Sequence, residues 1–128
     1  MTFLNYEQKK ISLWNKIGPR ATYGNVLNEL AKFNDNLLAI SADLGNSSGL
    51  DRFKAEHPER FFQMGIAEQN MIGVASGLAN EGFRPYVSSF APFLTMRAAE
   101  QIRMNLGYME QNVKLVGIGS GLSMGFLG

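Results

Sequence analysis

Residues 61–89 read FFQMGIAEQNMIGVASGLANEGFRPYVSS. The run at 61–64 is apolar and of strand length. Ala67, Met71, Val74, Ala75 and Leu78 then recur at helical spacing, which predicts a helix over 67–80 with one apolar face. Gly82 stops it, and residues 85–89 read as another strand, where a proline is tolerable at the first position. Strand, helix and strand in this order imply parallel pairing through a right-handed crossover. The same alternation extends in both directions.

Upstream, residues 37–42 (LLAISA) form a strand-length apolar run, and residues 43–49 (DLGNSSG) a polar, glycine-punctuated loop. A short helix is expected over 51–57, closed by Pro58. Thr22 is placed to cap a helix carrying Val26, Leu27, Leu30 and Ala31 on one face, ended by Asn34-Asp35. Residues 6–17 suit a short amphipathic helix with Ile11, Trp14 and Ile17 on one side, stopped by Gly18-Pro19. Downstream, a helix is expected over 91–106, ending at Gly107, and a fourth strand over 113–118. Apolar runs without strict alternation suit strands buried on both faces. The class is α/β, an open doubly wound parallel sheet, with residues 1–17 as a lead-in and 18–128 as the domain.

Composition fits one such domain. The chain has 128 residues, 45% of them apolar and 18% charged. Its 12 Lys and Arg against 11 Asp and Glu leave a net charge of +1. That balance gives no electrostatic reason to expect nucleic acid or an anionic membrane as partner. Cysteine is absent, which excludes disulfides and thiolate chemistry, and the single histidine, His57, excludes a histidine-rich metal site. No apolar run approaches the roughly 18 residues of a membrane-spanning helix, and the N-terminus lacks the apolar core of a signal peptide. A cytoplasmic protein is expected.

Open sheets of this class bind ligands beyond the carboxyl ends of their strands. The segments in that place are 43–48, 65–70, 90–93 and 119–128. Glu68 falls in the first turn of a helix just after a strand. It either complements the helix dipole, worth about 0.3–1 kcal/mol, or, among Phe61, Phe62, Met64, Ile66 and Met71, is a carboxyl whose apolar setting favours proton exchange near neutral pH. Phe90 and Phe93 are either core or an aromatic platform for a flat heterocycle. Gly117-x-Gly-x-Gly121 lacks the spacing of a dinucleotide fingerprint and the Lys-Ser/Thr of a phosphate loop, so a flexible loop is expected. Gly73 and Gly77 each weaken the helix by about 1 kcal/mol relative to Ala, which points to a close neighbour, either the sheet or a second copy of the chain. His57 reads as a helix C-cap or a solvated residue, and Lys9-Lys10, Glu56, Glu59 and Arg60 as solvated charges.

Taken together, Ser41-Ala42-Asp43-Leu44, the run 61–70 with its G-I-A-E-Q-N, Ser89-Phe90-Ala91-Pro92-Phe93, Arg97 and Glu100-Gln101-Ile102-Arg103 resemble the pyrimidine-binding domain of transketolases. The resemblance covers residues 18–128, and G-I-A-E-Q-N also occurs in the related deoxyxylulose-phosphate synthases. It implies that thiamine diphosphate binds between this domain and a partner, the N-terminal half of a split transketolase, which carries the diphosphate and Mg²⁺ site. It implies that Glu68 hydrogen-bonds the pyrimidine ring nitrogen and so promotes the activated cofactor that cleaves a ketose C–C bond. Phe93 corresponds to the stacking aromatic, Phe90 to its neighbour, and Asp43 to a site acid. Arg20 and Ser47 correspond to residues that bind the sugar phosphate, where a planar guanidinium fork and a hydroxyl suit phosphate oxygens. A homodimer of the pyrimidine domain is also implied.

Three departures from the family pattern shape the expectation. Ser120 stands where many transketolases carry an aspartate that reads a substrate hydroxyl. The Thr-His segment that normally follows lies beyond Gly128, and the Gly-Asp-Gly and Asn-Asn of the diphosphate site are absent. The chain is therefore expected to be inactive alone, a domain cut before its next strand, with a mobile or neighbour-held tail over 117–128 and an exposed sheet edge. The metal ligands are expected on the partner. A fragment of a deoxyxylulose-phosphate synthase or of the β subunit of a 2-oxoacid dehydrogenase is the alternative within the cofactor class. A non-catalytic α/β assembly module is the alternative outside it, and it requires that Glu68, Phe90 and Phe93 do not converge on one cavity.

Overall fold

A computed structural model describes residues 8–122 and 124–125. Four strands, β1 (Leu37–Ser41), β2 (Phe61–Gln63), β3 (Arg84–Phe90) and β4 (Lys114–Ile118), form one sheet in the order β2-β1-β3-β4. Every pairing is parallel, with Ala39 opposite Phe61 and Tyr86, and Val87 opposite Leu115. The chain leaves β1 for β2 at one edge, then returns across β1 to β3 and on to β4. The reversal of direction lies between β1 and β3, the place beyond the carboxyl ends of the strands where such sheets bind ligands.

Both faces of the sheet are covered at β1, which is why this strand is wholly buried and apolar over its first four residues, with Ser41 polar at its end. Leu37 and Ala39 point to one face, where Leu27 and Ala31 of α1 (Gln8–Ala31), Leu50, and Phe53 of α2 (Asp51–Glu56) close the first core. Ile40 and Ala42 point to the other, against Met71, Ile72 and Ala75 of α3 (Glu68–Asn80), with Val87, Leu94 and Ala98. The alternation of a strand decides which residue joins which core.

Helix α1 is broken at Gly18, whose backbone (φ 81, ψ 169) lies outside the helical region. The expected stop is therefore present, but the chain resumes at Pro19, where a proline's fixed φ suits a helix start. Thr22 is not the cap. It sits inside the helix and its hydroxyl donates to the carbonyls of Gly18 and Trp14, at 2.8 and 3.2 Å. The start of the lead-in helix, at residues 6 and 7, lies outside the described residues. Arg60 is also not solvated: its Nη1 donates to the carbonyls of Ala31 and Asn34 at 3.0 and 3.2 Å, placing a cation on the C-terminal end of α1. His57 is the C-cap of α2, its ring 5.2 Å from that of Phe53.

The helix expected over 91–106 forms in pieces. A π-helical turn spans Phe93–Arg97, a short α4 spans Ala99–Gln101, and a second π-helical turn spans Ile102–Tyr108. The Ala98 N–H reaches back five residues to the carbonyl of Phe93 at 3.1 Å. Buried Ala98 (φ −103, ψ 12) marks the break between the pieces. Wide turns of this kind are rare and concentrate at functional sites. Among the described residues β4 pairs with β3 alone, and its Leu115 is 38% exposed. Part of the glycine-rich tail, residues 123 and 126–128, lies outside the described residues.

Candidate active site

Glu68 opens α3, one turn of chain beyond the end of β2, with Ala67 as N-cap. Its side chain is buried, 2% exposed. Of the sequence neighbours expected to surround it, Met64 and Met71 keep to the core on the α3 face of the sheet, and the other three lie elsewhere. Phe61 packs in the core on the opposite face of the sheet, Phe62 is part-exposed, and Ile66 is 78% exposed. The carboxylate meets a cation instead. Nη1 of Arg97 donates to both carboxylate oxygens at 3.0 Å.

Arg97 ties Glu68 to the aromatics. Its guanidinium carbon lies 4.2 Å from the centroid of the Phe93 ring, within cation–π range. Phe93 and Phe90 are tilted 54° with centroids 5.7 Å apart, a favoured aromatic pairing. The π-helical turn Phe93–Arg97 sets this geometry, since Phe93 and Arg97 are its two ends. Gln69 fixes the far end by donating through Nε2 to the Arg97 carbonyl at 3.0 Å. Arg97 thus links Glu68 to Phe93, and Phe93 to Phe90, in one chain of contacts. Arg97 and Gln69 carry no role in the sequence reading. The signal for Arg97 was its place four residues after Phe93, a spacing at which helical side chains meet.

Asp43 belongs with β2 rather than with this trio. It holds a left-handed backbone (φ 58), uncommon for a residue other than glycine, and its N–H donates to Oε1 of Gln63 at 2.5 Å. With Asn46, Asp51, Lys54 and Gln63 it lines a cavity of about 220 Å³. The loop carrying Ser47 is wound tightly, with Ser48 N–H on Leu44 O at 2.8 Å and Leu50 N–H on Gly45 O at 2.9 Å. Arg20 is exposed on α1, and α1 meets this loop backbone to backbone. A Cβ on Gly24 would stand 1.9 Å from the Gly49 carbonyl oxygen, and one on Gly49 would stand 2.7 Å from the Arg20 carbonyl oxygen. That contact sets Arg20 beside the loop of Ser47. Gly73 and Gly77 mark no close approach within the chain, because a Cβ on either meets nothing within 4 Å. Among the described residues no group of three or more His, Cys, Asp or Glu lies close enough together to hold a metal ion.

The donor set fits a flat heterocycle bearing N–H groups. The guanidinium of Arg97 is itself a flat N–H donor that lies over the Phe93 ring and is bonded to buried Glu68, so these two groups accept that chemistry.

The family described as "Transketolase, pyrimidine binding domain" matches residues 15–128. The chain belongs to this family. A putative transketolase C-terminal section from Methanocaldococcus jannaschii is 46% identical over 108 residues, 84% of this chain and 34% of its own. One of the subunits of an apulose-4-phosphate transketolase from Phocaeicola vulgatus is 36% identical over 114 residues, covering 89% of this chain and 36% of that relative. The solved structure of a split gene transketolase, an inactive beta4 tetramer, superimposes with a TM-score of 0.68 at 45% identity, over 74% of this chain and 32% of that one. This transketolase pyrimidine domain therefore spans about a third of the length of those relatives. Its parallel sheet and flanking helices are the family's α/β fold, and no helix among the described residues is long and apolar enough to cross a membrane.

Proposed function

We propose that this chain supplies the pyrimidine-binding half of a thiamine-diphosphate-dependent transketolase that moves a two-carbon ketol unit between sugar phosphates in the cytoplasm. Residues 18–128 form the pyrimidine-binding unit and 1–17 lead into it. The diphosphate and Mg²⁺ are held by an N-terminal-half subunit, and this chain is inactive without it. Relatives named as a C-terminal section, as one of a transketolase's subunits and as a split-gene chain support a divided enzyme. The beta4 tetramer of the split-gene relative supports self-association of the pyrimidine domains.

The observation that carries the reading is the convergence of buried Glu68 with Phe93 and Phe90 through one flat cation. When bound, the cofactor supplies an electron sink for C–C cleavage. The chain's own residues do the rest. Phe93 offers its ring face to the aminopyrimidine, with Phe90 tilted beside it. The buried Glu68 carboxyl holds and shares a proton at the ring nitrogen, where exclusion of water strengthens the interaction. Asp43 holds the turn after β1 in its left-handed backbone and lends its charge to the cavity beside β2. Arg20 and Ser47 take the substrate phosphate at the rim.

The test is ketol transfer by the reconstituted complex. Glu68→Gln keeps the size of the side chain and should remove most activity while the circular dichroism spectrum stays that of the wild type. Turnover near that of the wild type would take Glu68 out of the mechanism.

A further inference from the structure

Glu68 and the face of Phe93 are the two groups that the proposed reading assigns to the pyrimidine ring, and both are engaged by Arg97. The guanidinium is planar, carries N–H donors at its edge and stacks through its face. In each respect it resembles a protonated aminopyrimidine. One ring face and one buried carboxylate cannot serve two flat donors at once.

The two partners differ in mobility. Glu68 is 2% exposed and held at the start of α3, whereas the Arg97 side chain is 47% exposed. Arg97 also ends the π-helical turn, against the break at Ala98. A side chain half in water, on a turn that carries an extra residue, can leave without disturbing the core. Its backbone stays in place because Gln69 holds the Arg97 carbonyl. We propose that Arg97 is a built-in occupant of the pyrimidine position, stacked on Phe93 and bonded to Glu68 in the lone chain, and that it swings out when a heterocycle takes those groups.

The exchange has a chemical consequence. A carboxylate that accepts both bonds from a guanidinium has no proton to offer. Departure of Arg97 is what leaves the Glu68 carboxyl free to share one with a ring nitrogen. Arg97 is thus a positioning residue that protects a buried charge until the ligand arrives, at the expense of affinity.

This proposal rests on the reading of Glu68 and Phe93 given above, and the experiment separates the two. The complex with the diphosphate-binding half is titrated calorimetrically with thiamine diphosphate and Mg²⁺, as wild type, Arg97→Met and Arg97→Lys. The urea midpoint of each chain is measured alongside. Arg97→Met should bind the cofactor about tenfold more tightly, from release of one part-exposed ion pair and one cation–π contact, while its urea midpoint falls because Glu68 loses its partner. Arg97→Lys, which keeps the charge and loses the flat face, should lie between it and the wild type. Cofactor binding by the wild type with equal or weaker binding by both variants would overturn the proposal and leave the site reading intact. Failure of the wild-type complex to bind would overturn the site reading itself.

Discussion

Gly24→Ala tests how the phosphate-side rim is built. The added Cβ would stand 1.9 Å from the Gly49 carbonyl oxygen and 2.9 Å from its carbonyl carbon. Both are backbone atoms, so no side chain can turn away, and the two backbones must part by roughly an ångström or more. Overpacking against unyielding neighbours costs about 1–3 kcal/mol, with the upper end fitting here. Replacing a helical glycine by alanine returns about 1 kcal/mol. The net loss is then about 2 kcal/mol, a fall of roughly 6–10 °C in Tm for a chain of this size. The matched control is Gly73→Ala, where the Cβ meets nothing within 4 Å and the helix should gain about 1 kcal/mol. Urea unfolding of the isolated chain gives both numbers. In the reconstituted complex, Gly24→Ala should also raise KM for a sugar phosphate more than it lowers kcat, since it forces Arg20 away from the loop of Ser47. If the two variants shift stability alike, or Gly24→Ala is no less stable than the wild type, the backbone contact is not as described.

Two further perturbations reach the site and the core. Phe93→Ala should weaken binding of thiamine diphosphate to the complex by about 1–3 kcal/mol through lost stacking and burial, as read by calorimetry; an unchanged affinity would make Phe93 a core residue only. The Tyr23 hydroxyl pairs with Ser88 Oγ at 2.7 Å, linking α1 to β3, and burial pushes its pKa well above the tyrosine range despite that bond. The folded state thus keeps Tyr23 neutral, and its stabilisation is intact below the unfolded pKa of about 10 and is lost as pH rises through the folded value. Tyr23→Phe should flatten the alkaline fall of the urea midpoint, and an unaltered fall would assign it to other groups.

The alternation of apolar runs with helical spacing made the sheet, its parallel pairing and α3 legible, because burial on both faces leaves a direct imprint on sequence. The positions of Glu68, Phe90 and Phe93, at or just past the ends of strands, were legible for the same reason. Contacts between distant segments left weaker marks. The glycines that meet backbone to backbone are Gly24 and Gly49, while Gly73 and Gly77, which look alike in sequence, face open space within the chain. Neighbours in sequence also misled about the setting of Glu68: a strand sends Phe61 to the opposite face, and the partner that matters, Arg97, comes from a turn 29 residues away. The break at Ala98 follows from packing, since no proline or glycine interrupts residues 93–106.

The claim that this chain is one half of a divided cofactor site meets its most direct test in equilibrium titration with thiamine diphosphate and Mg²⁺. The isolated chain should show no measurable binding, and saturable one-to-one binding should appear once the diphosphate-binding half is added. Tight binding by the isolated chain, or none by the pair, would contradict it.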